Sequence, residues 1–380
     1  MHDLIAYLIK HNPFIQFIYR KVMSAVFRIW GKFVKADEKL VLFSSFGGKQ
    51  YSDSPRVLFE HMKRDDRFRE YQFVWALENP DSVEIPGASK VKIDSLSYFK
   101  TALKARIWIT NVNIERGLNF KPQNTIYLNT WHGTGPKKGG NAVKGRKDYD
   151  FSKVDIFCCD GDYNKEVFTK WFGAKEENML WCGRPREDEL MAMSEEDARE
   201  TRVKLGLPDD KKIILYMPTW REKGNREIDF DYWKRELGEE YVLMVRSHHF
   251  SKSKLLVQDG VWNVTDYPNV NELYVVADVL ISDYSSAFFD FGLLGKPIFC
   301  YAYDYEQYQK EPGLFMDLKN EFPNGIFETE EELVQYIKNM NYEREAEISD
   351  TYIKSYVTHE QDATKACLDR IEQIMKEKRK

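Results

Sequence analysis

The sequence lacks any run of eighteen or more consecutive apolar residues, so it predicts no transmembrane helix. Its five cysteines form no CxxC pair, which argues against a zinc motif and against a secreted disulfide framework. The formal net charge is −5, which excludes a broad basic surface for nucleic acid. The opening stretch, MHDLIAYLIKHNPF, has no small-residue cleavage site, so no secretory signal is predicted. These absences together indicate a reducing, cytosolic setting.

Motifs for nucleotide and metal binding are also scarce. No GxxxxGK[ST] run occurs, which argues against a P-loop ATPase or kinase. Three DxD triplets, at 148–150, 160–162 and 229–231, are of a type that can hold a hard cation, but in a chain this rich in aspartate such triplets also arise by chance. No His/Cys cluster suggests a transition metal. We therefore expect no resident metal and no cofactor.

What the sequence does contain is an alternation of strand and helix patterns through both halves. Its 380 residues, 43% of them hydrophobic, are enough for two packed cores. The alternation predicts an α/β fold of two doubly wound parallel-sheet domains, with ligands between them at the carboxyl ends of the strands. We predict an N-terminal domain at 36–188 and a C-terminal domain at 189–345, followed by C-terminal helices at 346–380.

Residues 1–35 differ from the rest of the chain. They interleave aromatic and aliphatic residues with six lysines and arginines and one aspartate, inside an acidic protein. A basic amphipathic helix rich in aromatics is typical of segments that lie on an anionic membrane surface. The alternative is a helix packed across its own core, with the cations at its solvated edge. In either case Pro13 is expected to divide the segment into two helices.

Four loops follow predicted strands and would face one cleft in such a fold. They are WHGTGPKK (131–138), PTWR (218–221), RSHH (246–249) and SDYSS (282–286). Together they offer histidines, cations, hydroxyls and glycines, with few carboxylates. That inventory suits holding a phosphate and moving one proton, and does not suit glycoside hydrolysis by paired carboxylates.

Each candidate also has a plainer interpretation. His132 is placed to take a proton from a hydroxyl, since its unperturbed pKa is near neutrality, or else it packs under its loop. His248 follows Arg246 and suits phosphate contact or leaving-group stabilisation, whereas Arg246 alone would be read as a surface ion pair. Asp283 and Ser285 either cap the helix that follows or begin an anion site at its first turn.

Several motifs resemble one family. WHGTGPKK, GRPREDEL, ILYMPTWR, RSHH and ADVLISDYSSAFFDFGLLGKP match, in order and approximate spacing, the CDP-glycerol glycerophosphotransferases of teichoic acid synthesis, and the resemblance covers nearly the whole chain past residue 38. It implies a GT-B-like fold, two Rossmann-type domains facing a central cleft, bound peripherally to the cytoplasmic face of the cell membrane. Two departures stand out: His249 replaces a common proline, and the first loop reads Gly-Thr-Gly-Pro-Lys rather than Gly-Thr-Pro-Leu-Lys.

The resemblance also implies residue roles. His132 is the expected general base, and His248 is expected to engage the pyrophosphate and assist departure of CMP. The expected donor-binding residues are Thr219, Arg246, Asp283, Ser285 and Ser286. The expected acceptor or phosphate loop comprises Gly133, Thr134, Lys137 and Lys138.

The implied reaction moves glycerol phosphate from CDP-glycerol to a hydroxyl of a membrane lipid-linked acceptor, an undecaprenyl-diphosphate-linked saccharide, with release of CMP. Alternatives are a ribitolphosphotransferase using CDP-ribitol, a GT-B glycosyltransferase using a nucleotide sugar, and a non-catalytic membrane-bound scaffold. The sequence leaves open primase against polymerase, and wall polymer against capsule.

Overall fold

A computed structural model describes residues 12–146, 149–219, 221, 228–247, 260–359 and 362–378. Its strands are β1 (Asp37–Ser44), β2 (Gln72–Leu77), β3 (Ser89–Lys92), β4 (Ala105–Thr110), β5 (Ile126–Asn129), β6 (Ile156–Cys159), β7 (Met179–Trp181), β8 (Lys212–Tyr216), β9 (Tyr241–Val245), β10 (Val261–Asn263), β11 (Val279–Ser282), β12 (Ile298–Tyr301) and β13 (Ile326–Phe327). Its α-helices are α1 (Pro13–Gly31), α2 (Asp53–Met62), α3 (Leu96–Lys104), α4 (Asp162–Phe172), α5 (Pro185–Ala192), α6 (Glu195–Leu205), α7 (Phe230–Leu237), α8 (Val270–Val276), α9 (Ala287–Gly292), α10 (Tyr305–Lys310), α11 (Leu318–Glu321), α12 (Glu330–Asn339), α13 (Tyr342–Tyr356) and α14 (Ala363–Glu377).

The strands form two sheets, and every pair within them is parallel. The first has the order β3-β2-β1-β4-β5-β6-β7 and the second β10-β9-β8-β11-β12-β13. Central strands such as β4 (ARIWIT), whose six residues are all buried, are mostly apolar because helices cover both faces. The two-domain, doubly wound, GT-B-like prediction is therefore confirmed.

Both sheets share one winding. In each, the chain begins at a central strand, builds outward to one edge, and returns to continue on the other side of that first strand. The direction reverses between β1 and β4 in the first sheet and between β8 and β11 in the second. Ligands of such folds bind outside the carboxyl ends of the strands at this reversal, so each domain offers one binding edge.

The C-terminal helices serve different domains. Helix α13 packs tightly on α9, since a Cβ added to Gly292 would lie 2.2 Å from the Ile353 side chain. It begins at Tyr342, so the predicted boundary at 345/346 falls inside it. Helix α14 instead returns to the N-terminal domain and packs on α2, α5 and β6. The last helix therefore ties the end of the chain to the first sheet.

Helix α1 begins at Pro13, as the proline pattern predicts, and Asn12 caps it by accepting from two first-turn amides. Its inner side packs on the N-terminal domain: Phe27 stacks on Phe99, and the Ser24 hydroxyl accepts from the amide of Asn119. Its outer side exposes the large apolar residues Phe14, Phe17, Ile18, Tyr19, Val22, Val26 and Ile29. Residues 1–11, where the other half of the predicted pair would fall, lie outside the described residues. None of the described helices combines the length and hydropathy needed to cross a bilayer.

Candidate active site

A cavity of about 960 Å³ lies between the two sheets, at the carboxyl ends of their strands. Phe46 and Val112 line it from the loops after β1 and β4, and Met217 and Ser285 line it from the loops after β8 and β11. These are the two strand pairs at which the winding reverses, so the cavity lies where a doubly wound fold binds its ligands.

His132, which immediately follows the β5 segment, lines this cavity. Its Nδ1 lies 2.8 Å from the carbonyl oxygen of Asn111. A carbonyl only accepts, so Nδ1 carries the hydrogen and Nε2 of the neutral ring keeps its lone pair. The ring packs against Trp131 with centroids 4.2 Å apart, and Trp131 itself has a positive φ of 51°. The imidazole is thus held in one orientation and one tautomer.

Burial is the main influence on His132 and lowers the pKa of its imidazole below the ordinary value of 6.5. The hydrogen bond to Asn111 and the nearby Asp53 carboxylate raise that pKa in part, and Arg186 and Arg184 lower it. The ring is therefore neutral at pH 7. A neutral imidazole with a free Nε2 is the form that accepts a proton from a hydroxyl.

Residues 131–138, here called the base loop, pack directly on the second domain. A Cβ added to Gly133 would lie 2.5 Å from the Ser286 hydroxyl oxygen, and one added to Gly135 would lie 2.6 Å from the Ser286 amide nitrogen. Farther along, the amide of Lys138 donates to Gly313 and that of Phe315 donates to Pro136. The glycines of this loop are required because the two domains touch here without space for side chains.

The expected acceptor or phosphate residues Gly133, Thr134, Lys137 and Lys138 lie beside the cavity rather than in its lining. Thr134 is buried, and no hydrogen-bond partner of its hydroxyl is found among the described residues. Lys137 pairs through its backbone with Leu314. These positions act structurally as an interdomain strap, and their contact with acceptor or phosphate stays a prediction.

Residues 283–286, here called the donor turn after the role expected of them, border the same cavity as His132. Ser285 and Ser286 both line it. The Ser285 hydroxyl also accepts from the amide of Ala287, so this residue caps the following helix and borders the cavity at once. That helix, α9, has only six residues and ends at Gly292.

Asp283 is the first residue of the donor turn, and its side chain is buried. Its carboxylate accepts from the amides of Thr219 and Tyr284, at 2.9 and 2.7 Å, and pairs with Arg221 at 2.8 Å. Arg221 in turn makes two hydrogen bonds to Asp304. Asp283 and Thr219 therefore hold the loops after β8 and β11 together from below the cavity, while their expected contact with a donor stays a prediction.

Arg246 lines the cavity, but it is not the surface ion pair of the plainer interpretation. Its Nη1 donates to the carbonyl oxygens of Val264 and Tyr267, at 3.2 and 2.7 Å. Burial lowers the pKa of the guanidinium from its ordinary value. The side chain is a cation that backbone groups hold at the cavity edge. His248 and His249 lie outside the described residues, so the role expected of His248 stays a prediction.

A buried arginine that the sequence reasoning did not select also lines the cavity. Arg186 of α5 donates to Asp53 at 2.7 Å, to the carbonyl oxygen of His132 at 3.0 Å, and to both carboxylate oxygens of Asp290 at 2.7 and 2.8 Å. The only signal for it was its place in the GRPREDEL motif. Its partners come from three separate stretches of chain, which no spacing rule brings together.

Several aspartates of the three DxD triplets have protein partners in the described part of the chain. Asp160 pairs with the buried Arg184 at 2.5 Å, Asp150 accepts from Ser152, and Asp229 caps α7. In each triplet, at least one carboxylate thus has a partner within the protein.

Three cysteines that lie apart in the sequence come together in the structure, and no sequence pattern predicted their contact. The sulfurs of Cys158, Cys182 and Cys367 lie within 4.8 Å of one another, and they form the one such group of metal-ligating side chains found among the described residues. All three are buried in the apolar core between β6 and α14. Their positions, far apart in the chain, form no ligand motif, so only the return of α14 to the first domain reveals the cluster.

Known proteins share both the sequence pattern and the architecture. The model of the family described as CDP-glycerol:poly(glycerophosphate) glycerophosphotransferase matches residues 24–371. The chain is 30% identical to a teichoic acid poly(glycerol phosphate) polymerase of Bacillus spizizenii, over 92% of this chain and 96% of that protein. It is 35% identical to the polymerase of that name from Staphylococcus epidermidis, over 80% of this chain and 46% of the relative, so it spans about half of that longer protein.

A solved structure of the wall teichoic acid polymerase TagF, a histidine-to-asparagine variant with CDPG, is also similar. It superposes with a TM-score of 0.83 and 32% identity over 94% of each chain. The similarity extends over both sheets and the cleft between them.

Proposed function

This chain belongs to the CDP-glycerol:poly(glycerophosphate) glycerophosphotransferase family, and from that premise we propose that it transfers glycerol phosphate from CDP-glycerol to a hydroxyl of a membrane lipid-linked acceptor, with release of CMP. The observation that carries the proposal is the position of His132. Its unprotonated Nε2 belongs to a side chain that lines the same cavity as Ser285, Ser286 and Arg246. A base on one side and hydroxyls with a cation on the other are what a phosphoryl-type transfer requires.

The proposed step is an in-line displacement. The acceptor hydroxyl gives its proton to Nε2 of His132, and its oxygen attacks the β-phosphorus of CDP-glycerol. The bond from the β-phosphorus to the bridging oxygen breaks, the electron pair leaves with CMP, and a phosphodiester forms. Catalysis then rests on positioning and on charge stabilisation, to which Ser285, Ser286 and Arg246 contribute. His248 is expected to assist departure of CMP.

The direct test is product analysis with several donors. The protein is incubated with a lipid-linked disaccharide acceptor and with CDP-glycerol, CDP-ribitol or a UDP-sugar, and the products are identified by mass spectrometry. We expect CMP and an acceptor enlarged by one or more glycerol phosphate units. UMP or UDP release from the sugar donor, with CDP-glycerol inert, would instead support a glycosyltransferase. No turnover with any donor, but tight binding of CDP-glycerol, would support the scaffold.

Donor binding by the donor turn is tested with Ser285→Ala and Ser286→Ala. We expect each to raise the Kd for CDP-glycerol about tenfold or more by calorimetry, because hydrogen bonds to charged groups contribute about 1.5–3 kcal/mol. The matched control is Ser95→Ala. Ser95 caps α3 away from the cavity, where its hydroxyl accepts from the Tyr98 amide. It should lower the melting temperature only, and the same result at Ser285 and Ser286 would reduce them to helix caps.

We further propose that α1 binds the protein peripherally to the cytoplasmic face of the cell membrane. The helix exposes 71% of Phe14 and 58% of Phe17, with cations such as Lys21 and Arg28 on the same segment. Apolar side chains entering the lipid interface, with cations near anionic headgroups, are the two components of such binding. A lipid-linked acceptor would then be held at the surface on which the enzyme lies.

The membrane proposal predicts that Phe14→Ser with Phe17→Ser weakens sedimentation with phosphatidylglycerol vesicles at least about tenfold, since each buried phenylalanine contributes about 1.5–3 kcal/mol. Val203→Ser is the control, because Val203 is 77% exposed on α6. Equal vesicle binding by the double variant and the control would contradict a role for α1.

A further inference from the structure

We propose that Arg186 is a positioning residue, which holds the base loop of one domain and the donor turn of the other at reacting distance. The inference rests on the proposed function and adds to it the group that joins the two halves of the site. It concerns a side chain to which neither the sequence motifs nor the family resemblance gave a role.

The hydrogen bonds of Arg186 cross the domain boundary. On the N-terminal side, Nη1 donates to Asp53 and to the carbonyl oxygen of His132 itself. On the C-terminal side, Nη2 makes a bidentate contact with Asp290, which lies in α9 directly after the donor turn. One guanidinium thus bonds the backbone of His132 and the helix that directly follows Ser285 and Ser286.

The backbone of Arg186 is held as firmly as its side chain. Its amide donates to the Ser54 hydroxyl, and its carbonyl oxygen accepts from the Asn271 side chain at 3.0 Å. Ser54 belongs to α2 and Asn271 to α8, so α5 is anchored to both domains. The side chain itself is about nine-tenths buried. The planar guanidinium of a buried arginine donates parallel hydrogen bonds in a fixed geometry. The ammonium group of a lysine cannot reproduce that geometry.

The guanidinium of Arg186 has little free space on the side of the base loop. A Cβ added to Gly133 would lie 3.1 Å from Nη2 of Arg186 and 2.5 Å from the Ser286 hydroxyl oxygen. The guanidinium therefore lies against the point where the base loop touches the donor turn. A change in its position would displace Nε2 of His132 relative to Ser285 and Ser286, and a displacement of about 1 Å in a reacting geometry can cost about 100-fold in rate.

The neighbouring Arg184 gives the contrast that separates positioning from ordinary stability. It is equally buried, carries the same charge, and lies two residues earlier in the same motif. Its partners are Asp160 and Glu187, both within the N-terminal domain. Arg184→Lys should therefore weaken a buried ion pair without changing the distance between the two halves of the site.

The experiment compares Arg186→Lys with Arg184→Lys in the full-length protein. For Arg186→Lys we expect kcat to fall about 100-fold, with the Kd for CDP-glycerol changed less than about threefold, because an interaction that only positions groups is lost from turnover and not from donor binding. For Arg184→Lys we expect a lower melting temperature and a kcat close to that of the wild type. Melting curves of both variants are recorded first, so that kcat and Kd are measured well below the temperature at which either variant unfolds.

A second variant removes the cross-domain contact while keeping the charge balanced. Arg186→Gln with Asp290→Asn deletes one cation and one carboxylate, so the net charge is kept and Asp290 is not left as a buried carboxylate without its partner. The charged groups that influence the pKa of His132 are Asp53, Arg186 and Arg184, and Arg184→Lys keeps the charge at its position. Loss of the Arg186 charge leaves Asp53 less opposed and raises the pKa of His132. We therefore expect low kcat, and an acid limb of the rate profile displaced to higher pH.

The possible outcomes separate the hypotheses. A raised Kd for CDP-glycerol with unchanged kcat would make Arg186 a donor ligand and overturn the positioning role. If Arg186→Lys and Arg184→Lys lowered the melting temperature equally and changed nothing else, Arg186 would be a structural ion pair. That result would also overturn the positioning role. If the wild type itself releases no CMP from CDP-glycerol, it is the proposed function that fails.

Discussion

His132→Gln is expected to lower the turnover of CDP-glycerol by about 10²–10⁴-fold, the range that a positioned general base contributes. Glutamine keeps a polar side chain of similar reach but cannot take a proton at neutral pH. The donor is expected to bind with nearly unchanged affinity, because Ser285, Ser286 and Arg246 remain. Stopped-flow or discontinuous CMP release measures the first quantity, and calorimetry with CDP-glycerol measures the second.

The same residue predicts the pH dependence. Burial lowers the pKa of His132 below 6.5, and the base acts only in its neutral form. Activity should therefore be complete at neutral pH and fall on acidification only below the ordinary histidine value. In His132→Gln this acid limb should disappear from the residual rate. An acid limb that persists unchanged would assign the titration to another group.

The chain offers a closely matched control for His132. His61 of α2 also places its Nδ1 against a backbone carbonyl, that of Val57, at 2.9 Å, but it lies outside the cavity. His61→Gln therefore makes the same chemical change in the same hydrogen-bonding arrangement. It should leave kcat within about twofold of the wild type, as surface substitutions away from a site usually do. Comparable losses in both variants would mean that His132 acts through folding and not as the base.

Arg221→Met is expected to destabilise the protein by about 3–5 kcal/mol, the cost of breaking a buried ion pair by removing one partner. Arg221 bonds both Asp283 and Asp304, and its guanidinium carbon lies 4.7 Å from the centre of the Tyr303 ring. Methionine fills part of the volume but leaves two carboxylates without their cation. Urea unfolding of the two proteins, at equal concentration and pH, measures the difference.

The ion pairs of Arg221 also make a pH prediction. The guanidinium holds the pKa of Asp304 below its ordinary value of 3.8, so this pair stabilises the folded protein at pH 7. That contribution should be lost as the pH falls below the ordinary value and through the lower folded pKa. The stability difference between wild type and Arg221→Met should shrink over the same range.

Arg235→Met is the control for Arg221. Arg235 pairs with Glu236 on the surface, where 65% of its side chain is exposed, and such pairs contribute about 0–1 kcal/mol. A small effect there and a large one at Arg221 would attribute the loss to burial. If Arg221→Met unfolded at the same urea concentration as the wild type, the ion pairs of Arg221 with Asp283 and Asp304 could not be what holds the donor turn in place.

Much of the candidate site was predictable because it lies at strand ends. An apolar run that stops at polar residues, such as the one ending at Ser282, identifies both a strand and the loop that follows it. Parallel winding then sends all such loops to one edge, so the four loops could be assigned to one cleft. One cavity is lined by residues from three of these loops, namely His132, Arg246, Ser285 and Ser286. The place of His248 stays a prediction.

Other features depended on contacts between distant stretches, and these the sequence did not reveal. Asp283 was expected to bind the donor or to cap a helix, and the structure adds that its buried carboxylate pairs with Arg221. Lys137 and Lys138 were expected to contact acceptor or phosphate, and the structure adds that the backbone of the base loop bonds the second domain. The cysteine cluster appeared only when α14 crossed back to the first sheet.

By itself, then, the sequence determined the two sheets, the cleft between them and the general chemistry of its loops, since hydrophobic periodicity and strand ends are local properties. The tertiary structure alone decided which charged groups meet. Arg186 contacts residues 53, 132 and 290 because two domains pack in one particular orientation, and that orientation depends on the whole interface. Local patterns place a side chain on an element, but they do not specify which element from the other domain will face it.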